Sequence, residues 1–238
     1  MPIFRLPGGL GLFVDVPRAG GDAVSAYLAA RFGPLAFHDI RHTKVPTKRR
    51  WSQSSPQHVD RASLERLFPS EFFAATFALV RHPAERLAHV YEFQQRVEGL
   101  IPQTTTFGEW LEDIAERLED EPFLHDNSVR PMADLVPEGA DVFRYEEGPA
   151  PVTAWLDALA GTEAGAGEPA LTLDLAGPPA AVEPTPYDLE HIAEFHLADY
   201  RRFGYDLRPP ARPPARQTAE RPSLLTKVLH GRGARERG

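Results

Sequence analysis

Cysteine does not occur among the 238 residues. Its absence excludes a disulfide scaffold, a thiolate nucleophile and any Cys-based zinc or iron–sulfur site, though a Cys-free chain suits either redox compartment. No apolar run reaches 18 residues, so no helix is expected to span a membrane. The N-terminal stretch MPIFRLPGGLGLFVDVPRAGG carries Asp15, runs into a Pro-Arg loop and lacks a cleavage pattern. It therefore reads as a folded strand and not as a signal peptide. A soluble, cytoplasmic protein is the expectation. No set of ligand-type residues shows metal-site spacing, and no metal is expected.

Proline and glycine are plentiful, 24 and 18 residues, above the usual roughly 12% yet below a wholly disordered composition. The length allows one large domain or two small ones, with ample chain for a core. The net charge of −8 is unevenly spread, because the last 31 residues hold seven Arg and one Lys against two Glu. That leaves about −14 on residues 1–207, which we expect to fold as one domain. Residues 208–238 contain RPPARPPARQTAERP, lack apolar periodicity and read as a disordered tail, with a short helix near Ser223–His230. An acidic body repels polyanions except at a local basic site, so nucleic acid is not expected as a partner. One such site is the stretch with Arg41, Lys44, Lys48, Arg49 and Arg50.

Strand and helix signals alternate through the body. Leu10–Val16 is a short apolar run stopped by Pro17, and Phe72–Val80 is a second, stopped at Arg81-His82-Pro83. Val142–Tyr145 is a third. Val24, Tyr27, Leu28 and Phe32 recur at helical spacing behind Asp22 or the glycines as N-cap. Asp60 can cap a helix through Phe68, Pro83 opens a long helix with Leu87, Val90, Tyr91, Gln94 and Val97, and Thr106 with Glu109 forms a capping box. A helix with Val152, Trp155 and Leu156 follows the third strand, residues 161–184 form a Gly/Ala/Pro-rich loop or lid, and one last helix runs from Thr185-Pro186 through Phe203. This alternation predicts an α/β fold, a P-loop-like three-layer sandwich with a central parallel sheet flanked by helices.

Ligands of such sheets bind at the C-terminal ends of the strands. Two strand-to-helix junctions carry suitable chemistry. In Pro17-Arg18-Ala19-Gly20-Gly21-Asp22, paired glycines let backbone N–H groups and a helix N-terminus face an anion, and Arg18 adds a forked cation. In Arg81-His82-Pro83-Ala84-Glu85-Arg86, a cation closes a buried strand. A nucleotide kinase is disfavoured, because no Gly-Lys-Ser/Thr follows the glycine loop.

Together these segments resemble the Golgi-type carbohydrate sulfotransferase family and its bacterial relatives. VDVPRAGGD is similar to that family's strand into Pro-Lys-Thr-Gly-Gly-Thr, and ALVRHPAERLAHVYEF to its strand into Val-Arg-Asp-Pro-x-x-Arg-Leu-x-Ser-x-Tyr, about 60 residues later. SPQHV at 55–59, HDNSVRPMADLV at 125–136, DVFRYEE at 141–147 and DYRRFGYD at 199–206 extend the resemblance over residues 9–207. It implies sulfuryl transfer from 3'-phosphoadenosine 5'-phosphosulfate (PAPS), without metal, to a hydroxyl of a carbohydrate or similar acceptor. By the same resemblance, Pro17, Arg18, Ala19, Gly20, Gly21 and Asp22 would hold the phosphosulfate, with Arg18 stabilising the leaving phosphate. Arg81 and His89 would hold the nucleotide 3'-phosphate, His89 standing where the family has Ser. His58 matches a His that serves as base in the uronyl 2-O-sulfotransferase branch, with His125 or Asp126 as alternatives, and Asn127 and Arg130 would line the acceptor site.

Several positions depart from that pattern. Arg18 replaces Lys, Ala19 lacks a hydroxyl, and Asp22 puts a carboxylate where the family has a hydroxyl facing the ligand. A carboxylate about 4 Å from a phosphate oxygen costs roughly 4 kcal/mol at an effective dielectric near 20. As helix N-cap, Asp22 would also compete with the ligand for the same N–H groups. A degenerate, non-catalytic member that binds a nucleotide, an anionic glycan or a protein partner is therefore the alternative.

Overall fold

Pro7 and Gly8 allow the chain to reverse in two residues, which sets the edge of the sheet. Strand β1 (Ile3–Leu6) pairs antiparallel with β2 (Gly9–Val14), Leu6 opposite Gly9. In this computed structural model, which describes residues 1–69, 71–162, 170–173 and 182–210, β2 is followed by α1 (Gly21–Phe32) and α2 (Arg61–Leu67). Strand β3 (Ala75–Val80) then lies parallel to β2, with Val14 opposite Ala78. Helix α3 (Pro83–Phe93) and helix α4 (Phe107–Asp120) lead to β4 (Asp141–Arg144), parallel to β3 with Val80 opposite Arg144. Helices α5 (Ala150–Ala160), α6 (Pro186–Phe195) and α7 (Leu197–Phe203) complete an α/β fold with a four-stranded, mixed and mostly parallel sheet in the order β1-β2-β3-β4. The expected all-parallel sheet is thus corrected at one edge: a two-residue turn cannot carry a parallel crossover, so β1 runs against β2.

The central strands are buried on both faces with a period of two. Phe13, Phe77 and Leu79 pack with Val24 and Leu28 of α1 and Val152 and Leu156 of α5. Leu12, Val14, Ala78 and Val80 pack with Leu64 of α2, Met132, Leu135 and Phe203. A further cluster joins α3, α4 and α6 through Leu87, Trp110, Leu111, Ile114 and Ile192. No helix among the described residues is long and apolar enough to cross a membrane.

The sequence-predicted caps at Asp60, Thr106 and Thr185 are in place, each side chain accepting from a first-turn amide. Three predicted elements differ. Phe72 and Phe73 precede β3 and cluster with Phe68, because pairing to β2 begins only at Ala74, whose N–H reaches the Leu10 carbonyl. After Phe93 the chain winds into a π-helical segment, Gln94–Glu98. Its wider turn rotates Val97 out to solvent, while Gln94 stays on the buried face as expected, between Trp110 Nε1 and Ser128 Oγ. The last predicted helix divides at His196, which leaves helical dihedrals and bonds Asp199 at 2.9 Å through Nδ1. The tail beyond residue 210, with the helix near Ser223–His230, and most of the 161–184 loop lie outside the described residues.

Candidate functional site

Because β2, β3 and β4 run parallel in register, the residues that follow them emerge side by side. Asp15 follows β2, Arg81 follows β3 and Tyr145 follows β4, and all three line one cleft of about 760 Å³. The same cleft is lined by Pro17, Arg18, Gly20, Gly21 and Asp22 from the first loop, by His58, and by His89 on α3. His125 and Asp126 also line it.

The first loop is set by backbone geometry. Arg18 sits at φ 66° and Gly20 at φ 95°, both left-handed. Gly20 is the N-cap of α1 and no side chain caps this helix, so its first turn meets the cleft with positive potential. The glycines also have packing reasons. A Cβ on Gly20 would come within 3.2–3.3 Å of Leu173, Leu79 and Tyr145, and one on Gly21 would fall 1.8 Å from Asp15 Oδ1. Ala19 does not line the cleft: it is buried in the core and its N–H donates to the Val16 carbonyl.

Asp22 is not the N-cap. It lies one residue inside α1, exposed to solvent, and takes no first-turn amide from a ligand. Solvent screening reduces the cost expected at about 4 Å from roughly 4 to roughly 1 kcal/mol. The Arg18 guanidinium lies 3.5 Å from the centroid of the Phe93 ring. Burial lowers its pKa, against the charges of Asp22, Glu98 and Asp15. Arg81 packs its guanidinium 4.5 Å from the Tyr145 ring centroid, with Glu85 at 3.4 Å and the Arg18 carbonyl at 3.4 Å. The His82 N–H donates to Glu146 Oε1 at 2.7 Å, holding the start of α3 against the end of β4.

His58 closes the cleft from a short 3-10 turn, Pro56–His58. Its Nδ1 is 2.8 Å from Asp126 Oδ2, and its Nε2 is 3.9 Å from Asp15 Oδ2. Asp126 also accepts from the N–H of Ser55 at 2.5 Å and from its hydroxyl at 2.8 Å. Burial alone would raise the Asp126 pKa, yet the His58 and Ser55 contacts outweigh it and lower the value. Asp15 shifts the other way: burial raises its pKa, against the pull of His58 and the N-terminal ammonium. Burial, helped by the charge of Arg117, lowers the His125 pKa.

Asn127 and Arg130, expected at the acceptor site, do not line the cleft. Asn127 is fully buried with its Nδ2 donating to the His58 carbonyl at 2.7 Å, and Arg130 turns away to the Pro122 carbonyl. Arg86 is likewise a brace: fully buried, with its pKa lowered to about 10 by that burial, it donates to the carbonyls of Ser128 and Arg130 at 2.7 Å each. Of the basic stretch only Thr43 lines the cleft, with Ile40 just before it. Arg50 bonds the carbonyls of Val45 and Thr43, while Arg41, Lys44, Lys48 and Arg49 point to solvent.

Sequence reasoning missed several lining residues, among them Asp15, Tyr145, Phe93 and Glu98. Asp15 carried a signal, as a charge inside an apolar strand just before the loop. Tyr145 could have been placed by analogy with Arg81, since both follow a parallel strand. Phe93 and Glu98 had none, because the π turn that sets Glu98 at the cleft has no sequence signature. Among the described residues no group of three His, Asp or Glu is arranged to hold a metal ion. No family model, curated protein or solved structure matches the chain.

Proposed function

We propose that the protein is a P-loop-like, three-layer sulfotransferase that moves a sulfuryl group from PAPS to a hydroxyl of a carbohydrate or similar acceptor. One observation carries the reading: the glycine loop, His58, Arg81 and His89, distant in sequence, line a single cleft at the C-terminal ends of parallel strands. The donor supplies the sulfuryl group and a phosphate leaving group. The uncapped start of α1 and Arg18 face the loop end of the cleft and suit an anionic group there. Arg81, at the end of β3, suits a second phosphate through charge-assisted, forked donation.

His58 takes the acceptor's proton. The hydroxyl oxygen forms the new O–S bond with its own electron pair, the S–O bond to the leaving phosphate breaks with its pair on that phosphate, and His58 holds the proton released. The remaining contribution is positioning and charge neutralisation in a walled site. The test is transfer itself: sulfur-labelled PAPS with a panel of neutral and acidic oligosaccharides, wild type against His58→Gln. Labelled product from the wild type alone supports the reading, and equal product from both removes His58 from it.

A second reading, a non-catalytic protein of this fold that binds a nucleotide, an anionic glycan or a protein partner, is favoured by the acid content of the cleft. Asp15, Asp22, Glu85, Glu98, Asp126 and Glu146 line it against two arginines. Burial raises the pKa of both Asp15 and Glu98, the direction that weakens their hold on charge. The glycine loop, Arg18 and Arg81 meeting His58 in one cleft favour the enzyme.

A further inference from the structure

Three consecutive residues other than glycine, His125, Asp126 and Asn127, hold left-handed backbone angles, with φ of 50°, 57° and 63°. Each such residue costs about 1 kcal/mol or more, and a run of three persists only where surrounding bonds overdetermine it. Those bonds converge on His58. Asp126 accepts both donors of Ser55 and meets His58 Nδ1, and Asn127 Nδ2 returns to the carbonyl of the same histidine. From behind, the two arms of Arg86 hold the carbonyls of Ser128 and Arg130. The strained turn and the 3-10 turn of His58 thus fix each other across 68 residues of chain.

We infer that Asp126 is a positioning residue, which fixes the proton of neutral His58 on Nδ1 and leaves the Nε2 lone pair to the cleft. An ionised carboxylate only accepts hydrogen bonds, so the hydrogen shared with His58 belongs to Nδ1. The other acid facing the ring is Asp15, 3.9 Å from Nε2. That distance is beyond hydrogen-bond reach, so Asp15 does not hold a proton on Nε2, and burial raises its own pKa. The catalytic consequence rests on the reading of His58 as the base: the acceptor's proton passes to Nε2, and Asp126 stabilises the imidazolium that results.

The tautomer can be read without any ligand, by nitrogen NMR of the ring at about pH 8, where an ordinary imidazole is neutral. Loss of signals in His58→Gln assigns them. In the wild type, Nδ1 is expected to carry the proton and Nε2 to show the unprotonated resonance. Asp126→Asn presents an amide donor to Nδ1 and should move the proton to Nε2. It should also lower kcat by roughly 10²–10⁴ with little change in KM. Ser55→Ala keeps the carboxylate and should keep the tautomer. A wild-type proton on Nε2, or a tautomer unmoved by Asp126→Asn, overturns the inference. If Asp126→Asn does not fold, the wild-type spectrum still decides. Because neither donor nor acceptor is in the sample, failure here is separate from failure of the sulfotransferase reading.

Discussion

Replacing Gly21 by Ala tests whether the loop is shaped by the buried acid beneath it. The added Cβ would stand 1.8 Å from Asp15 Oδ1, 2.5 Å from Cγ and 2.8 Å from Oδ2. The carboxyl would have to retreat by about 1 Å or more, and it is buried with His58 Nε2 3.9 Å from its Oδ2. Overpacking of this kind costs about 1–3 kcal/mol, and displacing a buried polar group adds to it. We expect Gly21→Ala to destabilise the fold by about 3 kcal/mol. In an Asp15→Ala background the obstacle is gone, and Ala is worth up to about 1 kcal/mol more than Gly within a helix. The same substitution should then be neutral or mildly stabilising, a coupling of about 3 kcal/mol or more. Urea unfolding of the four proteins of the cycle, compared at equal m, provides the assay. Equal destabilisation in both backgrounds, within about 0.5 kcal/mol, would refute the account of the loop.

Asp22→Thr removes an exposed carboxylate from the first turn of α1. It should tighten binding of adenosine 3',5'-bisphosphate about fivefold at low salt, the equivalent of roughly 1 kcal/mol of screened repulsion, and less at high salt. Unchanged affinity at low salt would show that this carboxylate does not face the ligand. Asp199 is buried and accepts from His196 Nδ1 and from the amides of Met132 and Ala133. Burial alone would raise its pKa, but His196, Arg86 and these amides lower it below the usual 3.8. A depressed folded pKa means the unfolded chain binds more protons, so this stability is present above about pH 3.8 and lost as pH falls through the folded value. Asp199→Asn should destabilise by about 3–5 kcal/mol at neutral pH and flatten acid unfolding. A variant as acid-sensitive as the wild type would place the titration elsewhere.

Elements whose cause is local were readable in advance. Asp60, Thr106 and Thr185 cap helices because each side chain meets the amide three residues on, which spacing alone reveals. Leu12–Val14 and Phe77–Val80 declare buried strands by unbroken apolar character. The antiparallel edge was hidden because Ile3–Leu6 and Gly9–Val14 read as one N-terminal segment until the Pro7-Gly8 turn is seen to pair them. In the site, the loop and Arg81 were legible as strand-end chemistry. Neither the left-handed turn at His125–Asn127 nor the π turn after Phe93 follows from residue type. Both are held by distant bonds, to His58, Ser55, Trp110 and Ser128. Ala19 and Asn127 show the opposite error, since a motif position does not say whether a side chain faces the ligand or the core.

The central claim is that the cleft binds the nucleotide of a sulfuryl donor through the glycine loop and Arg81. Calorimetric titration with adenosine 3',5'-bisphosphate tests it most directly, with Arg81→Ala as the control. The account predicts a dissociation constant on the order of 1 μM, about −8 kcal/mol, weakened at least a hundredfold in Arg81→Ala. No heat of binding at about 1 mM ligand, or equal affinity in both proteins, would contradict it.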